Sequence, residues 1–138
     1  MSMVAERAAI RVKLAAAWGS TTAIAWDGLN GPPYTRVDGT EFIRPRIEDG
    51  ESSWAAISAS VQRERKLGVV VVEVMTPSGT GDARGNALCD LLIGHFTRFT
   101  DPSGTVRFDR RGFAVDAGTD GTFHRWHVFL PYYREEAA

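Results

Sequence analysis

Only one cysteine, Cys89, occurs in the chain, which excludes an intrachain disulfide and a cysteine-built zinc cluster and fits a reducing compartment. Charge of one sign is lacking too. Sixteen lysines and arginines stand against 17 aspartates and glutamates, so no global positive potential exists to hold nucleic acid non-specifically. No apolar run approaches the roughly 20 residues that span a bilayer. The N-terminal stretch carries Glu6, Arg7, Arg11 and Lys13 where a signal peptide needs an unbroken apolar core. Repeats and low-complexity tracts are absent as well. What is there, 138 residues with 43% apolar content, suffices to bury one core, and residues 1–138 are expected to form a single domain.

Apolar periodicity places the elements. Ser2 can cap a helix whose body repeats Val4, Ala8, Val12, Ala15 and Trp18 at helical intervals before Gly19, predicting a helix over 3–18. "TTAIAW" reads as a short strand, and "DGLNGPPYTRVDGT", from Asp27 to Thr40, as a long loop because its glycines and prolines disfavour regular structure. Loops of that length are often contact surfaces. "EFIRPRIED" and "SSWAAISAS" alternate as two strands separated by the polar turn "DGE", with Pro45 suited to an edge or bulge. "LGVVVVEVM" is apolar on both faces apart from Glu73, as in the central strand of a covered sheet. A second helix from Gly81 aligns Leu88, Leu91, Leu92, His95, Phe96 and Phe99. Strands broken near "DRRG" and a hairpin signal at "AGTDGT" follow. The expected order is α-β-β-β-β-α-β-β. Strands clustered between helices predict an α+β fold with a mixed, mostly antiparallel sheet packed with two helices.

Catalytic chemistry finds little support. The turn "PSGTGDARG" invites a phosphate-binding reading, but Gly79, Gly81 and Gly85 are one residue off the dinucleotide fingerprint, and no G-K-[ST] completes a P-loop. Asp82 in the first helical turn would repel a phosphate. The simpler reading has Pro77 end the strand, the glycines turn the chain, and Thr80 or Asp82 cap the helix. G-x-S-x-G is absent, which removes the nucleophile elbow. His124 and His127, three apart on a strand, point to opposite faces and cannot easily share a metal. His95 and Cys89 read as packing residues. No catalytic residue, cofactor site or metal site is expected.

Arginines two apart on a strand share a face, so Arg44 with Arg46, and Arg63 with Arg65, form paired basic surfaces. These read either as a solvated face or as a subunit or partner interface, with Trp26, Trp54, Tyr132 and Tyr133 as aromatic anchors and Tyr34 on the adjoining loop.

The order and spacing of segments resemble a known family. "LAAAW" closes the first helix and "TTAIAWDGLNGPPY" follows. Then come "GVVVVEVMTPSGTG", the helix ending "LIGHF", and the terminal "DGTFHRWHVFLPYYRE". From about Ile10 to Arg134 the chain is similar to the phage tail terminator-like proteins of long-tailed bacteriophages and gene transfer agents. The resemblance implies a non-enzymatic subunit of a ring, usually a hexamer, at the head-proximal end of the tail tube. Such a ring stops tube polymerisation and meets the head-side connector. Implied partners are further copies of the chain, the tail tube protein and the connector, with DNA only passing through the lumen. The implied location is the host cytoplasm during assembly and then the virion tail. Ring closure needs two different patches on each subunit, and the Asp27–Thr40 loop and the "ESSWAAISASVQRERK" hairpin are the candidates. Alternatives are another neck or tail-completion ring protein, or a nucleotide-binding protein using the Gly79–Gly81 turn.

Overall fold

The computed structural model describes residues 3–26, 34–35, 39–57, 62–79, 81–102, 104 and 106–137. The elements run α1 (Met3–Trp18), β1 (Ala23–Ile24), β2 (Phe42–Ile57), β3 (Gln62–Pro77), α2 (Ala83–Phe96), β4 (Phe99–Thr100), β5 (Arg107–Phe108), β6 (Phe113–Asp120) and β7 (Phe123–Ala137). One sheet takes all the strands in the order β1-β2-β3-β7-β5-β4, with β6 pairing β7 beside β5. Among the described strands only β1 and β2 pair in parallel; the other ladders are antiparallel. The α+β class expected from the sequence is the one observed.

The strand boundaries differ. The two strands expected on either side of "DGE" are one strand, β2, and the polar "QRERK" belongs to β3. A bulge explains the misreading. Asp49 pairs with Gly68 while Ser52 pairs with Lys66, and the register shifts again between Trp54 and Ala56. Each shift places one extra residue on β2, so turn-like residues are absorbed without ending the ladder, and the ribbon bends. Pro45 lies beyond the short β1 ladder, where β2 has no second partner strand among the described residues, in keeping with its missing donor.

Both helices pack on one sheet face. Ile10, Leu14 and Trp18 from α1 join Leu88, Cys89, Leu92, Ile93 and Phe96 from α2 over Ile43, Val70, Val72, Val74, Trp126, Val128 and Leu130. An edge contact between the Trp18 and His95 rings, centroids 6.4 Å apart, links the helices. In the valine run of β3, Val70, Val72 and Val74 lie under the helices, whereas Val71 points to the opposite face and is buried there between its cross-strand neighbours Arg46 and Phe129.

Each helix buries a face rotated from the one its apolar repeat indicates. On α1 the buried positions are Glu6, Ile10, Leu14 and Trp18, while Val12 is 65% exposed. On α2, Leu91 is 43% exposed, and Gly85, Cys89 and Ile93 complete the packed stripe. A buried acid drives the first difference. The Glu6 carboxylate accepts a hydrogen bond from the Tyr132 hydroxyl and lies 3.4 Å from Arg134 Nε, so a charged residue takes an inward position because its partners are there. Gly68 makes room for the Tyr132 ring, since a Cβ on it would lie 2.5 Å from Tyr132 Cζ.

Candidate functional site

The glycine turn is structural. Gly79 and Gly81 have φ of +87° and +81°, a conformation side chains disfavour, and they carry the chain from the end of β3 into α2. Ser78 N donates to Thr122 O at 2.7 Å, tying the turn to the β6–β7 hairpin. Asp82 takes the N-cap position without a side-chain cap hydrogen bond, and Thr80 lies outside the described residues. Arg84, the nearby cation a phosphate would need, is held by Glu41 through contacts of 2.6 to 3.1 Å. That hydrogen bond raises the arginine's pKa further, against the lowering effect of burial. The turn thus offers an anion an exposed carboxylate and an engaged guanidinium.

The other reactive side chains are also accounted for. Cys89 is buried, and desolvation, reinforced by Asp90, pushes its thiol up to about 12, the opposite of what a nucleophile requires. His124 stacks on Trp126 at 4.1 Å and lies 2.8 Å from Asp116 Oδ1. His127 sits 4.0 Å from Glu73 and edge-on to Phe129, so the two histidines diverge as their spacing predicts. No group of three potential metal ligands occurs among the described residues. None of the described helices is long and apolar enough to cross a membrane.

What stands out is the sheet face opposite the helices, which no described helix covers. Strand alternation and register align two cross-strand rows on it. Arg44, Glu73, His127 and Val115 form one; Arg46, Val71, Phe129 and Phe113 form the other. At the β2 end the guanidinium groups share Glu73: Arg46 Nη1 donates to Oε1 at 3.0 Å and Arg44 Nη1 lies 3.7 Å from Oε2. Arg46 Nε also donates to Glu48 at 3.0 Å. At the β6 end Phe113 stacks on Phe129 with centroids 5.0 Å apart. Phe113 and Val115 are 55% and 49% exposed. Further along, the Arg65 guanidinium lies 4.3 Å over the Tyr133 ring, beside Leu67, which is 44% exposed.

The predicted interface residues do not form one patch. Arg44, Arg46 and Arg65 share the uncovered face. Trp26 is buried in the main core with Arg11 over its ring at 5.5 Å, and Tyr132 is buried against Glu6. Tyr34 packs on Phe42 at 4.9 Å in a small cluster with Ala25, Met75 and Phe123. The side chains of Trp54 and Arg63 lie outside the described residues, although the backbone places both positions on the β2–β3 ribbon. Most of the Asp27–Thr40 loop and the hairpin tip, residues 58–61, also lie outside them. Sequence reasoning missed Phe113, Val115 and Phe129. The available signal was the alternation in "FAV", with the lone acid Glu73 in an apolar strand marking the face.

A family model described as phage tail terminator protein matches residues 6–132. One solved structure, 20% identical, superposes with a TM-score of 0.70 and covers 97% of this chain and 96% of its own; at that identity the likeness concerns the fold. No curated protein matches.

Proposed function

The chain belongs to the phage tail terminator family and is a phage tail assembly protein; on that premise we propose that it works as a non-catalytic ring subunit at the head-proximal end of the tail tube. The ring, a hexamer in this reading, caps the growing tube, halts its polymerisation and offers its other side to the head-side connector. The observation that carries the proposal is the family match over nearly the whole chain.

Surface and chemistry support it. A protein that acts through contacts needs exposed faces, and the sheet face opposite the helices offers Phe113 and Val115, 55% and 49% exposed. Ring closure is heterologous, so a subunit must carry two unlike surfaces. Near-balanced charge, 16 basic against 17 acidic residues, suits a ring that lets DNA pass without gripping it. The subunit would assemble in the host cytoplasm and remain in the virion tail.

Electron microscopy of purified protein mixed with tail tubes tests this. A six-fold ring on one end of each tube is expected, and loss of the gene should give tails of uncontrolled length. Normal tails without the gene would refute termination, and a ring located elsewhere in the neck would assign the chain to tail completion.

A further inference from the structure

Three of the five large hydrophobic side chains exposed among the described residues, Leu67, Phe113 and Val115, lie on the uncovered sheet face. Strand β6 has no second partner among the described strands, and residues 113–116 are all exposed. An open apolar edge of this kind is a liability in a free monomer, and exposed apolar side chains clustered on one face mark a contact surface. The face is also charged at its far side. There Arg44 and Arg46 pair with Glu73 and Glu48, while Arg65 on β3 and Arg125 on β7 give the face as a whole more arginines than carboxylates among its described side chains.

The helix layer on the opposite side of the subunit carries the remaining two, Val12 on α1 and Leu91 on α2. Charge separates these candidates. Around Val12 stand Arg7, Arg11 and Lys13, the same sign as the sheet face. On α2 the outward positions include Asp82, Asn86, Ala87, Asp90, Leu91 and Gly94, and Arg84 among them is paired with Glu41 as Arg44 and Arg46 are with Glu73. That surface is acidic and small, with one apolar side chain.

We infer that the uncovered sheet face of one copy seats the outward face of α2 from a second copy, with Asp90 against Arg44 and Arg46 and Leu91 against Phe113 and Val115. This rests on the ring reading above. The dimensions agree. From β2 across β3 and β7 to β6 is three strand spacings, about 14 Å, and a helix with its side chains is about 10 to 12 Å across. A helix laid along the strands therefore fits between the arginines and the apolar side chains. Asp90 and Leu91, about 100° apart around the helix, reach opposite flanks. Because the two surfaces are unlike, the contact is head to tail, the type that closes a ring when its rotation returns to the start and otherwise builds a filament.

The test is the oligomeric state of the full chain by native mass spectrometry and light scattering, with circular dichroism as the folding control. Val115→Asp and Asp90→Arg should each weaken assembly about tenfold or more, leaving folded monomers. Arg44→Glu combined with Asp90→Arg should recover most of the assembly, and Val12→Asp should leave it unchanged. A wild-type ring that neither Val115→Asp nor Asp90→Arg disturbs overturns this contact while leaving the ring reading standing. A wild-type chain that stays monomeric at every concentration, alone and with tubes, overturns both.

Discussion

Replacing Gly85 by alanine should destabilise the protein, whereas the same replacement at Gly94, nine residues later in α2, should stabilise it. Both residues are helical, so each change removes the same propensity penalty, about 0.8 to 1 kcal/mol. Their surroundings differ. A Cβ on Gly85 would lie 2.2, 2.3 and 2.6 Å from three atoms of the Trp126 ring, while one on Gly94 meets nothing within 4 Å. Carbon atoms rest at about 3.5 to 4.0 Å, so the indole would have to retreat by more than about 1 Å. It is not free to do so, because it is buried and stacks on His124. Overpacking of this kind costs about 1 to 3 kcal/mol, and at this overlap the upper part of that range applies. Net of propensity, Gly85→Ala should lose about 1 to 2 kcal/mol and Gly94→Ala should gain up to about 1 kcal/mol. Urea denaturation followed by tryptophan fluorescence measures both. Equal shifts of the same sign would refute the packing of α2 against β7.

Glu6→Ala should cost about 1 to 3 kcal/mol by removing the buried acceptor of the Tyr132 hydroxyl and the carboxylate 3.4 Å from Arg134, and Glu6→Gln should cost less; chemical denaturation of the two variants checks this. Cys89, with its thiol pushed up to about 12, should resist iodoacetamide in the native protein at pH 8 and react at once in denaturant; fast native labelling would contradict its burial. Asp116 is held below the ordinary aspartate value by the Gly118 amide first and His124 second. Its contribution is therefore present above the unfolded value and lost as pH falls through the folded one. The stability difference between wild type and Asp116→Asn should shrink toward zero under strongly acidic conditions, which urea midpoints across pH would show.

Where local periodicity and burial agree, the sequence was a sufficient guide. The bounds of α1, the central place of "LGVVVVEVM", the hairpin at "AGTDGT" and the packing role of Cys89 could all be read from it. Reading failed where a distant partner decides. Nothing near Glu6 indicates that Tyr132 and Arg134 will receive it, so the buried face of α1 was misjudged. "DGE" has the composition of a turn, and only pairing with β3 turns it into a bulge. The sheet face opposite the helices was half legible: strand alternation puts Arg44 with Arg46 on it, and Arg65 joins them. Phe113 and Val115 were not singled out, because their significance depends on no described helix covering that side of the sheet.

The contact between Glu6 and Tyr132 joins residues 126 positions apart, and that separation has a temporal meaning. During synthesis at roughly 5 to 20 residues per second, α1 emerges about 6 to 25 seconds before the residues that receive its buried acid. Over that interval the first helix exists without its anchor, and β3 lacks β7, its partner on one side. Until β7 is made, the face that seats both helices lacks Trp126, Val128, Leu130 and Tyr132, so neither helix has its full bed to pack on.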